Sequence, residues 1–178
     1  SVGRLLEERG WPVLDADQYA REALAPNTAA AKAVAQRFGA VVGNAADLDR
    51  KAPGRLVFND AEERRWLETL VHPVVRARLQ QELLRHSQAP VVVLMIPLLF
   101  ETGLEALCSE VWLVDCEPHQ QLERLMLRSG LNEADAQARL AAQWPLSRKR
   151  PLADRVIDNR GSADALEAAV NRCDPPSL

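Results

Sequence analysis

Pro90-Val91-Val92-Val93-Leu94-Met95-Ile96-Pro97-Leu98-Leu99-Phe100-Glu101 holds an apolar stretch with no polar break until Glu101, and its reading decides the fold class. The part from Pro90 to Ile96 predicts a strand buried on both faces, the habit of parallel sheets covered by helices. The whole run is too short to span a membrane. Pro97 redirects the chain at the carboxyl edge of the sheet and leaves Leu98 and Leu99 as an apolar wall. By themselves these residues also fit a hydrophobic loop packed into a core, and Glu101 also fits a helix cap.

Upstream, a short strand at Val13-Leu14 ends in Asp15-Ala16-Asp17, and Arg21 follows one helical turn later. In an open parallel sheet, ligands bind just beyond the carboxyl ends of the strands. Two carboxylates there can orient and deprotonate a hydroxyl, and an arginine beside them can hold a phosphate. The same spacing fits blander roles. Asp17 precedes a helix and fits an N-cap, and Asp17 with Arg21 fits an ordinary i,i+4 ion pair.

Downstream, Val111–Val114 reads as a further strand ending in Asp115, and Val156-Ile157-Asp158 as the last. Helical patterns alternate with these strands. Val2, Leu5 and Leu6 share a helix face that stops at Gly10. Thr28 is placed to cap an alanine-rich helix to Phe38, and Asn59 to cap a helix opening Asp60-Ala61-Glu62-Glu63. Pro53-Gly54 interrupts the pattern of residues 40–58. Pro73 predicts the start of a second helix after His72, running to His86. Helices are expected at 118–128, at 133–143 behind Asn132, and from Ser162 to Asn171, with a frayed tail at Asp174–Leu178. About four strands are legible, and their alternation with helices predicts an α/β, doubly wound parallel sheet.

The bulk numbers agree with one α/β domain. The chain has 178 residues, 47% of them hydrophobic, with a formal net charge of −3. That size supports a substantial core, and the charge argues against a general nucleic-acid binder. The charge is uneven, however. Between Arg124 and Arg155 lie seven basic residues (Arg124, Arg128, Arg139, Arg148, Lys149, Arg150, Arg155) against three acids (Glu133, Asp135, Asp154). That excess suits a small polyanion such as a nucleoside triphosphate, although a solvated charged face looks the same. Arg124 and Arg128, like Arg139 and Gln143, share helix faces at i,i+4. With Ser129-Gly130 as a hinge they read as a lid able to present guanidinium donors to phosphates. His72, at a helix junction, reads more readily as structural than catalytic. Cys108, Cys116 and Cys173 are widely spaced and read as reduced thiols of a cytoplasmic protein. No signal peptide is legible.

The order of these pieces is more specific than any one of them. Val-Leu-Asp-Ala-Asp-x-x-Ala-Arg at 13–21, Leu-Val-His-Pro at 70–73 and Pro-Leu-Leu-Phe-Glu at 97–101 come first. Gln121-Leu122-Glu123-Arg124-Leu125, Ala138-Arg139-Leu140-Ala141-Ala142-Gln143, Lys149, and Ala153-Asp154 through Asn159-x-Gly161 follow. Together they resemble the dephospho-CoA kinase family over nearly the whole chain. The resemblance implies a fold of the P-loop nucleoside monophosphate kinase type: a five-stranded parallel core, a helical substrate-binding region at about 25–88 and a small lid at about 124–150, all in a single domain over 1–178. It implies ATP and magnesium as cofactors and phosphorylation of the ribose 3′-hydroxyl of dephospho-CoA. Asp17 would activate that hydroxyl. Asp15, Arg21, His72, Pro97, Leu98 and Leu99 would hold the acceptor, and Arg139 with Arg124, Arg128 and Lys149 would meet the ATP phosphates. Asn159 would lie near the adenine. The implied partners are the two small-molecule substrates, with no nucleic acid and no membrane; the sequence does not fix the oligomeric state.

One departure stands out. No Gly-x-x-x-x-Gly-Lys-[Ser/Thr] occurs in the chain, and the resemblance places that loop just before Ser1. The expectation is therefore a truncated chain lacking the first strand and its phosphate loop, about sixteen residues on the usual strand-plus-loop plan. No metal ligand is expected within it, and little activity. Two alternatives stay open: another small nucleoside or nucleotide kinase of the same fold, and a non-catalytic remnant that still binds CoA.

Overall fold

A computed structural model of the chain describes residues 2–48 and 60–173. They fall into two compact units: Ser1–Val13 with Ala89–Leu178, and Leu14–Gln88.

In the first unit, α1 (Val2–Glu8) closes at Gly10, whose φ of 80° is a conformation that glycine adopts without strain. Trp11-Pro12 then leads into β1 (Val13–Asp15), of which Val13 belongs to this unit. After β4 (Val93–Met95) and β5 (Trp112–Asp115) come α5 (Pro118–Ser129), α6 (Glu133–Ala141) and α7 (Leu146–Lys149), then β6 (Arg155–Asp158) and α8 (Ala163–Asn171). The strands β5 and β6 pair in parallel, in register from Trp112↔Arg155 to Asp115↔Asp158. Such a pair needs a crossover, which α5 to α7 provide. The expected parallel α/β organisation is therefore present.

Leu6, Ile157, Leu166 and Val170 form the buried centre of this unit, with Val2, Leu5, Trp11, Val13, Val93 and Trp112 packed around them. Arg9 reinforces it from the surface. Its guanidinium donates to the Val170 and Cys173 carbonyls at 2.8 and 2.9 Å. A cation there satisfies the last carbonyls of α8 and complements the helix dipole.

The strand expected over Pro90–Ile96 is shorter and less covered than the sequence predicts. It spans Val93–Met95, is only half-buried, and leaves Met95 37% exposed. The Val93 N–H donates to the Pro12 carbonyl at 2.8 Å. On one face α1 comes close, since a Cβ on Gly3 would lie 2.7 Å from the Met95 sulfur.

In the second unit, α2 (Ala16–Ala23), α3 (Ala29–Phe38) and α4 (Ala61–Arg85) supply the core, and a small antiparallel pair, β2 (Gly43–Asn44) with β3 (Asp47–Leu48), precedes α4. Ala31, Val34 and Val42 are fully buried against Leu24, Phe38, Trp66, Leu67 and Leu70. Thr28 caps α3 as expected: its hydroxyl accepts from the Ala31 N–H at 3.1 Å and donates to the Ala23 carbonyl at 2.7 Å.

The helix pair expected around Pro73 is one 25-residue helix with Pro73 inside it. Proline there removes the N–H that would bond the Thr69 carbonyl, a cost of about 3 kcal/mol in a helix interior. Thr69 and Pro73 are both exposed, so the proline sits on an open face of the helix. Trp66, Leu67 and Leu70 before the proline, and Val75 and Leu79 after it, anchor both halves. Asp60 caps α4, its Oδ1 accepting from the Glu62 and Glu63 N–H groups at 2.8 and 3.1 Å. These bonds hold its carboxyl below the usual carboxylate range. The expected cap Asn59, the Pro53-Gly54 interruption, Ser1 and the tail from Asp174 lie outside the described residues.

Candidate active site

The local chemistry at the start of α2 separates the two aspartates that spacing left ambiguous. The chain leaves β1 at Asp15 in extended conformation, and the Asp15 Oδ1 accepts from the Asp17 and Gln18 N–H groups at 2.8 and 3.3 Å. Asp15 is thus the N-cap, and Asp17 is not. Asp17 sits in the first turn with its carboxylate exposed. Arg21 lies on the same face, also exposed. Among the described residues no ion pair joins Asp17 to Arg21, so the i,i+4 bridge that the spacing also fits is not made. The unit therefore presents an uncommitted carboxylate and an uncommitted guanidinium side by side on one helix. His72, in the same unit, is half-buried midway along α4 rather than at a helix junction.

In the first unit, every carbonyl of the Pro97-Leu98-Leu99 segment is taken. The Pro97 carbonyl accepts from the Lys149 ammonium at 2.9 Å. The Leu98 carbonyl accepts from the Thr102 hydroxyl at 2.7 Å and from its N–H at 3.1 Å. The Leu99 carbonyl accepts from the Leu104 N–H at 3.0 Å. The segment is a pinned turn with Leu98 and Leu99 half-buried, which suits an apolar wall of fixed shape.

The basic residues expected to meet phosphates divide into three kinds. Arg124 donates to the Asn159 carbonyl at 2.7 Å, so the structure brings those two together at the carboxyl end of β6. Arg128 is exposed on α5 and Arg139 half-buried on α6, neither in an ion pair among the described residues. Lys149 departs from expectation: it is buried, with its ammonium 2.7 Å from Glu101 Oε1. A charged lysine goes inside a protein only when paired, and this one has a carboxylate and a carbonyl. It is not an open phosphate contact.

Sequence reasoning gave Glu101 and Arg150 too little weight. Glu101 fits a helix cap by its position after a strand, yet its Oε1 accepts from both Lys149 and the Trp144 N–H. Arg150 reaches the buried Asp115 at 2.7 Å. Within Arg148-Lys149-Arg150 no spacing rule tells which cation turns inward. Arg148 instead stacks on Trp144, 3.3 Å from its ring centre.

At the turn after β6, Arg160 grips Asp158 with two N–H groups at 2.8 and 2.9 Å. The side-chain bonds from Arg160, and then its backbone N–H, bring the Asp158 carboxyl down to about 2. A depressed carboxyl loses its pairing as pH falls towards its folded value. We therefore expect a carbon-detected NMR titration to show Asp158 charged at pH 3, with its midpoint near 2; a midpoint near 4 would mean that the fork does not form in solution. The three cysteines are free thiols, and burial pushes Cys108 and Cys116 up. Among the described residues, no three His, Cys, Asp or Glu side chains gather where they would hold a metal. No described helix is long and apolar enough to cross a membrane.

Comparison with known proteins gives a consistent result. The family model described as CoaE, Dephospho-CoA kinase, matches residues 1–165. The dephospho-CoA kinase of Parasynechococcus marenigrum (strain WH8102) is 69% identical over 173 residues, covering 97% of this chain and 87% of that protein. That of Gloeobacter violaceus is 46% identical over 173 residues, covering 97% and 83%. Among solved structures, TT1252 from Thermus thermophilus superposes with a TM-score of 0.78 at 40% identity, covering 96% of this chain and 86% of that one. A dephospho-CoA kinase from Campylobacter jejuni superposes with a TM-score of 0.67 at 26% identity, covering 95% and 86%.

Proposed function

The chain belongs to the dephospho-CoA kinase family, and from that premise we propose how its residues divide the ATP-dependent phosphorylation of dephospho-CoA to coenzyme A. Asp17 accepts the proton of the ribose 3′-hydroxyl. The freed oxygen forms a bond to the γ-phosphorus of ATP as the bond to the β–γ bridging oxygen breaks, and ADP leaves. A ribose hydroxyl is a weak nucleophile, so a carboxylate within hydrogen-bond reach contributes about 10²–10⁴ in rate.

One observation carries this assignment: Asp15 does the capping, which leaves the Asp17 carboxylate exposed and uncommitted beside Arg21. Arg21 and His72 hold the acceptor, with Asp15 setting the first turn of α2. Leu98 and Leu99 supply the apolar wall. Arg128 and Arg139 are the cations left for ATP phosphates, while Arg124 and Asn159 shape the adenine side. A Gly-rich loop is the usual cradle for β- and γ-phosphates, and the chain contains no such motif. Magnesium comes with ATP in this reading, and the described residues offer no ligand cluster of their own for it. The reaction is placed in the cytoplasm.

The test joins the chain to a strand ending in Gly-x-x-x-x-Gly-Lys-Ser and compares acceptors with MgATP as donor. We expect dephospho-CoA to exceed nucleoside monophosphates by at least about 10² in kcat/KM, since a site built on specific polar contacts rejects acceptors that leave them unmade. Preference for a nucleoside monophosphate would favour a different kinase of this fold. Tight binding of dephospho-CoA with no transfer would favour a binding remnant.

A further inference from the structure

We propose that Lys149 and Glu101 are a positioning pair: buried together, they fasten the root of the helical segment 133–149 to the Pro97-Leu98-Leu99 turn, and Lys149 acts on the acceptor through that turn rather than on a phosphate. Lys149 is 6% exposed. Its ammonium meets Glu101 Oε1 at 2.7 Å and the Pro97 carbonyl at 2.9 Å, so its charge is already matched inside the protein. The same Glu101 oxygen accepts from the Trp144 N–H at 2.8 Å, where α6 gives way to α7. One carboxylate oxygen therefore ties three points: the end of α7, the bend before it and the turn after β4. Glu101 Oε2 is also buried and has no hydrogen-bond partner among the described residues. A polar oxygen left unmatched in this way is costly, so its retention fits a carboxylate kept for position rather than for stability alone.

The consequence for ligands rests on the proposed role of the Pro97–Leu99 turn in holding dephospho-CoA. If the pair sets the turn, removing Lys149 loosens the acceptor wall and leaves ATP contacts untouched. The consequence for the protein does not depend on any ligand. The Thr102 and Leu104 amides, which bond the Leu98 and Leu99 carbonyls at 3.1 and 3.0 Å, lose protection when the tether goes.

The experiment uses hydrogen exchange on the 178-residue chain, with Lys149→Met, Glu101→Gln, the double variant and Lys149→Arg. A single change leaves a buried polar or charged partner unmatched and can unfold the unit. The double variant removes both charges together and is expected to keep the fold. We expect at least about tenfold faster exchange of the Thr102 and Leu104 amides in the double variant, with the α1 and α8 amides unchanged, because local opening is read amide by amide. Lys149→Arg is expected to keep most of the protection. Unchanged exchange at 102 and 104 in the double variant would overturn the proposal. So would faster exchange everywhere, which marks general destabilisation. Calorimetry with dephospho-CoA and with ATP then separates the two readings. Weaker dephospho-CoA binding with unchanged ATP binding supports positioning, and the reverse assigns Lys149 to a phosphate and overturns it. If the unsubstituted chain fails to bind dephospho-CoA, the acceptor reading fails, and exchange alone still decides the role of the pair.

Discussion

Asp17→Asn, in the chain joined to a phosphate loop, is expected to lower kcat for dephospho-CoA phosphorylation by about 10²–10⁴, with the KM for dephospho-CoA within about threefold. Asparagine keeps the shape and can still accept a hydrogen bond from the ribose hydroxyl, but it cannot take up the proton. The substitution is a clean probe because Asp15 caps α2, so the helix does not depend on the Asp17 side chain. Asp15→Asn provides the control. Aspartate and asparagine cap helices about equally well, so α2 and the melting temperature are expected to hold, and activity to fall much less. Asp15→Ala removes the cap and is expected to cost about 1 kcal/mol. Near-normal kcat in Asp17→Asn would remove Asp17 from the chemistry.

The 178-residue chain by itself is expected to show no turnover above background in an ADP-release assay with dephospho-CoA and MgATP. Joining it to a strand ending in Gly-x-x-x-x-Gly-Lys-Ser is expected to raise the rate by at least about 10³. Phosphoryl transfer is catalysed mainly by positioning and by neutralising charge on the transferring group, and a single well-placed arginine is worth about 10³–10⁵. Among the described lid residues, Lys149 and Arg150 are held in ion pairs, Arg124 by a carbonyl and Arg148 by a ring stack, which leaves Arg128 and Arg139 as the cations with none of these contacts. Two guanidinium groups lack the convergent backbone N–H groups that a Gly-rich loop supplies. Efficient turnover without the added segment would mean that these arginines and the described backbone suffice.

The alternation of strands and helices was legible because each element carries its own period and its own stops. Thr28, Asn132 and Ser162 cap the helices expected of them, since a hydroxyl or amide before an apolar pattern has few other uses. Pro73 departs from its expected role for the opposite reason. The rule that proline ends a helix is local, whereas the persistence of α4 depends on burial on both sides of the proline. The strand within 90–96 is shorter than the apolar run because continuous apolarity reports on hydrophobicity and says nothing of where strand pairing begins and ends. At the candidate site, the Asp-x-Asp spacing narrowed attention to two residues, but only the hydrogen bonds from the Asp17 and Gln18 amides separated cap from open carboxylate. Lys149 shows where sequence reading stops. Three adjacent cations look alike until one is found 2.7 Å from a buried glutamate, and that partner lies far away in the chain.

Calorimetric titration of dephospho-CoA into the 178-residue chain tests whether the acceptor half of a dephospho-CoA kinase resides in these residues. The expected result is saturable one-site binding, weakened about tenfold or more by Arg21→Ala through the loss of a charge-assisted contact and little affected by Asp17→Asn. Absence of binding, or equal binding of AMP and dephospho-CoA with no effect of Arg21→Ala, would contradict it.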